Sequence, residues 1–169
     1  MPKRLSLVLL SFFVAVPAAL AGTSANGDGV FELKDVDAAK IVVTGTRGAI
    51  WGQVDKGTLR VTDVNLDDNV APQVSCSVAC SISILPADPT VKIYTGKNIH
   101  FRFSGAKYRF SIVGSGVDVT AVGVGQAALI GDPDVDDPGY YAIDDGKWLQ
   151  VPLLRKLVTF GVQPVVAGP

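Results

Sequence analysis

Residues 94–132 alternate between apolar and polar side chains, and only glycine-containing segments interrupt the alternation. A period of two residues is typical of β-strands that bury one face. Glycine comes first at residues 105–106 and at residues 114–115, which suits tight two-residue turns between antiparallel strands. We therefore predict a central three-stranded meander whose apolar face is covered by the rest of the chain.

The two predicted turns set one register for the meander. They pair Phe101 with Phe110 and Phe110 with Val119, and this register places all the apolar side chains of the three strands on one face. That face consists of Ile99, Phe101, Phe103, Tyr108, Phe110, Ile112, Val117, Val119 and Ala121. The predicted fold class is all-β, an antiparallel β-sandwich or flattened barrel, with a β-solenoid as the alternative.

The opposite face of the meander is polar and partly basic. In the predicted register Arg102 lies opposite Arg109, with Asp118 diagonal to Arg109. Like charges that face each other across a sheet are unfavourable unless an opposite charge lies between them. Arg102 and Arg109 are therefore a candidate contact for an anion or a polymer, and the alternative is an ordinary solvated outer face.

The first 21 residues are predicted to be a signal peptide. Lys3 and Arg4 precede an apolar run at residues 5–16, and A-L-A at residues 19–21 fits a cleavage site. An uncleaved membrane anchor is the alternative, but the apolar run is short for a membrane span. We therefore expect a secreted or extracytoplasmic protein that does not span the membrane after cleavage.

The remaining chain is long enough for one domain with its own core. We predict a flexible leader at residues 22–29, a single all-β domain at residues 30–161 and a tail at residues 162–169. Without the signal peptide the chain has 13 basic and 16 acidic side chains, a net charge near −3. This balance argues against nucleic acid as a partner.

The two cysteines are separated by three residues, as Cys76 and Cys80. In an exported chain they are predicted to form a disulfide, with a redox pair or two free thiols as alternatives. In an extended strand their Cα atoms would be about 13 Å apart, beyond the bridging limit of about 7 Å. A disulfide therefore requires the backbone to bend at residues 77–79.

One acidic loop has the alternating oxygen donors that a calcium ion prefers. Its candidate ligands are Asp132, Asp134 and Asp136, and a similar spacing occurs at residues 63, 65 and 67. Neither stretch completes an EF-hand, so an ordinary solvated turn is the alternative. Calcium is the only cofactor for which the sequence gives a candidate site.

Catalytic signatures are missing from the sequence. His100 is the only histidine, and no nucleophile elbow, zinc-protease motif or phosphate-binding loop occurs. We therefore predict that the protein is not an enzyme, although a secreted hydrolase that uses two carboxylates is an alternative. Trp51 is assigned to the core or its rim, and the alternative is an aromatic residue that stacks on carbohydrate.

Residues 48–63 and 98–132 resemble a group of small exported proteins from actinobacteria. These proteins have signal peptides, all-β domains and no assigned function, so the resemblance implies an envelope or extracellular setting and brings no site residues. The predicted function is a non-catalytic secreted or envelope-associated β module, structural or binding an envelope polymer or another secreted protein. A calcium-stabilised adhesin-like domain is a further alternative.

Overall fold

The computed structural model describes residues 27–64, 70–77, 80–105 and 107–161, and these residues contain nine strands and no helix. The strands are β1 Gly29–Val36, β2 Ala39–Asp63, β3 Gln73–Cys76, β4 Ser81–Leu85, β5 Asp88–Gly105, β6 Tyr108–Ile130, β7 Tyr140–Ile143, β8 Leu149–Gln150 and β9 Lys156–Phe160. They form one sheet in the order β3-β5-β2-β6-β1-β7-β8, with β4 also paired to β5 and β9 to β6. The predicted antiparallel all-β class is confirmed, and the solenoid alternative is wrong.

Two long strands, β2 and β6, make the sheet curl. Ile41 pairs with both Ile112 and Leu129, so β6 lies along both edges of the first part of β2. Tyr108, at the start of β6, pairs with both Gly45 and Asp63. The two ends of β2 therefore lie on either side of the start of β6, and the inward side chains of both strands enter one core.

A pair of facing glycines allows β2 and β6 to bend together. Gly48 and Gly123 are cross-strand partners, and both have a positive φ, of 118° and 132°. A Cβ atom on Gly48 would overlap the carbonyl oxygen of Val122, and one on Gly123 would overlap the carbonyl oxygen of Arg47. Only glycine accepts this backbone conformation and this close approach without strain.

The predicted faces are correct, but the predicted three-stranded meander is wrong. All nine residues assigned to its apolar face are buried. However, β5 pairs with β2, β3 and β4, and no pairing between β5 and β6 occurs in the described residues. The segment predicted as the second turn, residues 114–115, lies inside β6. The physical reason is that β2 is long enough to supply a partner for both segments, and alternation does not identify the partner.

The predicted cross-strand pairs meet through their rings instead. The ring centroids of Phe101 and Phe110 are 5.3 Å apart, and those of Phe103 and Tyr108 are 5.5 Å apart. Tilted and edge-to-face arrangements at such distances are favourable between aromatic rings. These residues therefore stabilise the core through packing of their side chains, although their strands are not hydrogen-bonded to each other.

Two buried tyrosines differ in how their hydroxyl groups are satisfied. Lys156 Nζ donates a hydrogen bond of 2.5 Å to Tyr141 Oη. The Tyr108 hydroxyl has no hydrogen-bond partner in the described part of the chain, although its residue is fully buried. Burial raises the pKa of the Tyr108 phenol well above its usual value. Gly45 makes room for this ring, because a Cβ atom there would overlap it.

The beginning and the end of the domain lie side by side. A Cβ atom on Gly29 would overlap the backbone nitrogen of Gly161, and the rings of Phe31 and Phe160 stack with centroids 5.8 Å apart. Strand β1 begins one residue before the predicted domain boundary. The predicted signal peptide, most of the predicted leader and the predicted tail lie outside the described residues.

The predicted disulfide is present between Cys76 and Cys80, whose Cα atoms are 6.1 Å apart. It connects the last residue of β3 to the residue before β4, and both strands pair with β5. A disulfide is compatible with the predicted extracytoplasmic location. In the described ranges no helix is long and apolar enough to span a membrane.

Candidate functional site

The first candidate surface is a cavity of about 700 Å³ on the outer face of the curled sheet, which we call the basic groove. Its charged lining residues are Lys40, Arg60, Arg109, Arg155 and Asp88. These residues come from β2, β5, β6 and the segment before β9. The groove exists because β6 lies between the two ends of β2, which brings outward side chains of distant segments onto one surface.

The register places two of the arginines close together. Arg109 pairs with Thr44 on one side and with Thr62 on the other, while Arg60 pairs with Ser111. Arg60 is therefore the diagonal neighbour of Arg109, a position about 7–8 Å away in an antiparallel pair. Hydroxyl groups on neighbouring positions add hydrogen-bond donors and acceptors beside the two guanidinium groups.

The four cations of the basic groove form no ion pair with a carboxylate in the part of the chain that the structure describes. The ion pairs of the described residues join Lys34 to Asp35 and Arg47 to Asp28, away from this surface. The one acidic residue in the lining, Asp88, accepts hydrogen bonds from Thr90 N and Thr90 Oγ1, at 3.1 and 2.6 Å. The groove therefore presents four basic groups and one carboxylate that is already hydrogen-bonded.

The second candidate surface, which we call the Trp51 furrow, is a cavity of about 690 Å³ that crosses β6, β2 and β5. Two rows of outward side chains line it, Thr120, Trp51 and Arg102 in one row and Asp118, Gln53 and His100 in the other. The backbone between the rows includes Gly52. The register produces these rows. The members of each row are cross-strand partners, and on each strand the two rows are two residues apart.

Trp51 is 41% exposed, so of its assignment to the core or its rim the core is wrong and the rim stays a prediction. Its β-strand has partners on both edges, and Trp51 projects from the outer face between Arg102 and Thr120. Beside it, Gln53 Nε2 donates a hydrogen bond of 2.8 Å to Asp118 Oδ2. Asp118 Oδ1 also accepts a hydrogen bond of 2.8 Å from the backbone of Asp35.

The predicted pairing of Arg102 with Arg109 is wrong, because it depended on the meander. Arg102 pairs with Trp51 and Gln73 and lines the Trp51 furrow, whereas Arg109 lines the basic groove. Asp118 contacts Gln53 rather than neutralising Arg109. The two arginines therefore belong to two different surfaces and do not form one binding site.

The predicted calcium ligands lie in the loop between β6 and β7. Asp132 Oδ1 accepts a hydrogen bond of 3.0 Å from the backbone of Asp134, as in an ordinary Asx turn. The described residues contain no group of three or more histidine, cysteine, aspartate or glutamate side chains placed to hold a metal ion. For Asp132, Asp134 and Asp136, calcium binding therefore stays a prediction.

The basic residues that sequence reasoning missed are Lys40, Arg60 and Arg155. The alternation of residues 58–62 predicts that Arg60 points outward, but it does not predict that β6 lies beside it.

Comparison with known proteins adds no relative, since no protein-family model, curated protein or solved structure matches the chain. The function therefore has to be inferred from the two surfaces themselves.

Proposed function

We propose that this chain is a non-catalytic, exported β domain that binds an anionic polymer of the cell envelope through the basic groove. The observation that supports the proposal is the group of four basic side chains on one concave surface, none of which forms an ion pair with a carboxylate of the described residues. An envelope setting is the prediction of the signal peptide at residues 1–21, and the disulfide is compatible with it.

The charge of the groove is opposite to that of the chain. Without the predicted signal peptide the chain has a net charge near −3, whereas the groove has four basic residues and one acidic residue. A concave surface lined by one sign of charge concentrates ions of the other sign and raises their association rate. An anionic ligand therefore fits this surface better than a neutral one.

The chemistry of the side chains favours phosphate or carboxylate groups. Arginine presents a planar set of donors that matches both groups, and such charge-assisted hydrogen bonds are stronger than neutral ones. Arg60 and Arg109 are diagonal neighbours, so one chain of repeated anionic groups can contact both. The alternatives, a hydrolase or an adhesin-like calcium domain, stay predictions that neither surface favours.

The proposal is tested by measuring the affinity of the chain without residues 1–21 for three polymers. A glycerol-phosphate polymer and polygalacturonate supply phosphate and carboxylate groups, and polyethylene glycol, which has neither charge nor sugar rings, is the neutral control. We expect binding to one or both anionic polymers that weakens as the salt concentration rises, because salt screens exposed charges.

The charge-removing variant carries Arg60→Gln and Arg109→Gln. Its control, with Lys97→Gln and Lys107→Gln, loses the same charge at exposed positions outside the groove. We expect the Kd of the arginine variant to rise about tenfold or more, about 1.4 kcal/mol, and that of the control to change little. Equal losses in both variants would contradict a specific groove.

A further inference from the structure

We propose that the Trp51 furrow is a second binding site, specific for an uncharged, hydroxyl-rich polysaccharide that stacks one sugar ring on Trp51. This site is independent of the basic groove in position and in chemistry. The two surfaces share no lining residue. The proposal therefore stands or falls separately from the proposed binding of an anionic polymer.

The position of Trp51 is the first argument. A large aromatic side chain on a strand that is paired on both edges would normally be turned toward the core, yet Trp51 is 41% exposed on the outer face. Tryptophan is enriched at binding surfaces because it offers a wide apolar face together with one polar N–H group. The apolar C–H faces of a sugar ring match such a surface, while its hydroxyl groups remain available for hydrogen bonds.

The polar groups around Trp51 are the second argument. Asp118 is held by Gln53 Nε2 and by the backbone of Asp35, so this carboxylate is fixed before a ligand arrives. The side chains of His100, Arg102 and Thr120 make no hydrogen bond or ion pair with other parts of the described chain. The furrow thus combines an exposed aromatic face with one fixed acceptor and a few polar side chains, and small-molecule sites likewise join apolar lining to a small number of polar groups.

Charge and size decide the class of ligand. The lining contains one arginine, Arg102, and one aspartate, Asp118, and their charges cancel. A polyanion would therefore be attracted more strongly to the basic groove, which has four basic residues and one acidic residue. The lining residues come from β5, β2 and β6 and from Leu33 of β1, four neighbouring strands that span about 14 Å at about 4.8 Å spacing. This length and the volume of about 690 Å³ suit a short stretch of a linear polymer.

The test measures the affinity of the chain without residues 1–21 for dextran, mannan and arabinogalactan at two salt concentrations. We expect at least one of them to bind, with an affinity that salt changes little. Trp51→Ala should weaken that binding about tenfold or more, and Trp51→Phe should recover part of it. Trp148→Ala is the matched control, because Trp148 is also exposed, at 46%, and lies outside the furrow.

The outcomes separate the two proposals. Trp51→Ala should leave binding to the anionic polymers unchanged, and the double variant Arg60→Gln with Arg109→Gln should leave binding to the neutral glycan unchanged. A melting temperature close to that of the parent chain would show that Trp51→Ala remains folded. Failure of all three neutral glycans to bind, equal losses in Trp51→Ala and Trp148→Ala, or binding of a polyproline peptide in place of a glycan would overturn the inference.

Discussion

Replacing Tyr108 by phenylalanine should stabilise the protein, although Tyr108 is one of its largest fully buried residues. The substitution removes one oxygen atom, and that oxygen has no hydrogen-bond partner in the described residues. Tyr141→Phe is the matched control, because it removes a buried hydroxyl that accepts a hydrogen bond from Lys156. The two substitutions have the same chemistry and should change stability in opposite directions.

The magnitude follows from what the substitution leaves in place. The Tyr108 ring packs edge-to-face against Phe103 and Phe110, with centroids 5.5 and 5.7 Å apart, and phenylalanine keeps both contacts. An unsatisfied buried polar group costs about 1–3 kcal/mol, and the small void left by the oxygen offsets part of the gain. We expect the free energy of unfolding to rise by about 1 kcal/mol, with an increase in Tm of about 3–5 °C.

The control should lose stability by a similar amount. Tyr141→Phe deletes the hydrogen bond to Lys156 and leaves the Lys156 ammonium group over the ring, 5.2 Å from its centroid. A hydrogen bond to a charged group contributes about 1.5–3 kcal/mol, and part of this is recovered because the ammonium group is still solvated. We expect the free energy of unfolding to fall by about 1 kcal/mol.

Urea unfolding at pH 7 measures both effects as shifts in midpoint without a change in slope. Repeating it above pH 10 adds a second test. Burial raises the pKa of Tyr108 in the folded state, so the folded protein keeps this phenol neutral while the unfolded chain ionises it above about pH 10. The free energy of unfolding is therefore unaffected by this ionisation below about pH 10 and falls as the pH rises further. The loss is at most about 1.4 kcal/mol per pH unit, and Tyr108→Phe should remove it. A destabilised Tyr108→Phe protein would refute the assignment of an unsatisfied hydroxyl.

Two further predictions concern the bend at Gly48 and the disulfide. Gly48→Ala should destabilise the protein by at least about 2 kcal/mol in urea unfolding, because it combines a positive φ with overlap on a facing carbonyl. Gly131→Ala, whose Cβ would have its nearest contact at 3.3 Å, should cost less than about 1 kcal/mol, and equal costs would contradict the proposed bend. Replacing Cys76 and Cys80 together by serine should lower the free energy of unfolding by about 2 kcal/mol, the loop-entropy value for so short a ring. Adding a reductant to the parent chain should lower the free energy of unfolding by the same amount. A much larger decrease would mean that the disulfide stabilises the fold by more than the loop-entropy term.

The faces of the strands were predictable from the sequence, whereas their partners were not. Period-2 alternation places Phe101, Phe110 and Val119 in the core whichever strand lies beside them. Glycine, in contrast, has two meanings in a β protein, a turn or a close approach of two backbones. Gly114 was interpreted as a turn, but a Cβ atom there would overlap the Lys56 carbonyl oxygen of β2, so it marks a close approach.

The candidate site was predictable only one residue at a time. Alternation correctly placed Arg109 on the outer face, and the sequence separately suggested a stacking role for Trp51 as an alternative. The neighbours of Arg109 were not predictable, because Arg60 reaches it through the pairing of two strands that are far apart in the chain. A site built from such pairings becomes visible only when the register of the sheet is known.

The contact between Gly29 and Gly161 means that the polypeptide enters and leaves this domain at one point. Force applied at Gly29 and Gly161 would therefore separate neighbouring backbones at the edge of the sheet before it reaches the core. Because both ends of the domain are at this one place, the outer faces that carry the two cavities stay accessible to large ligands.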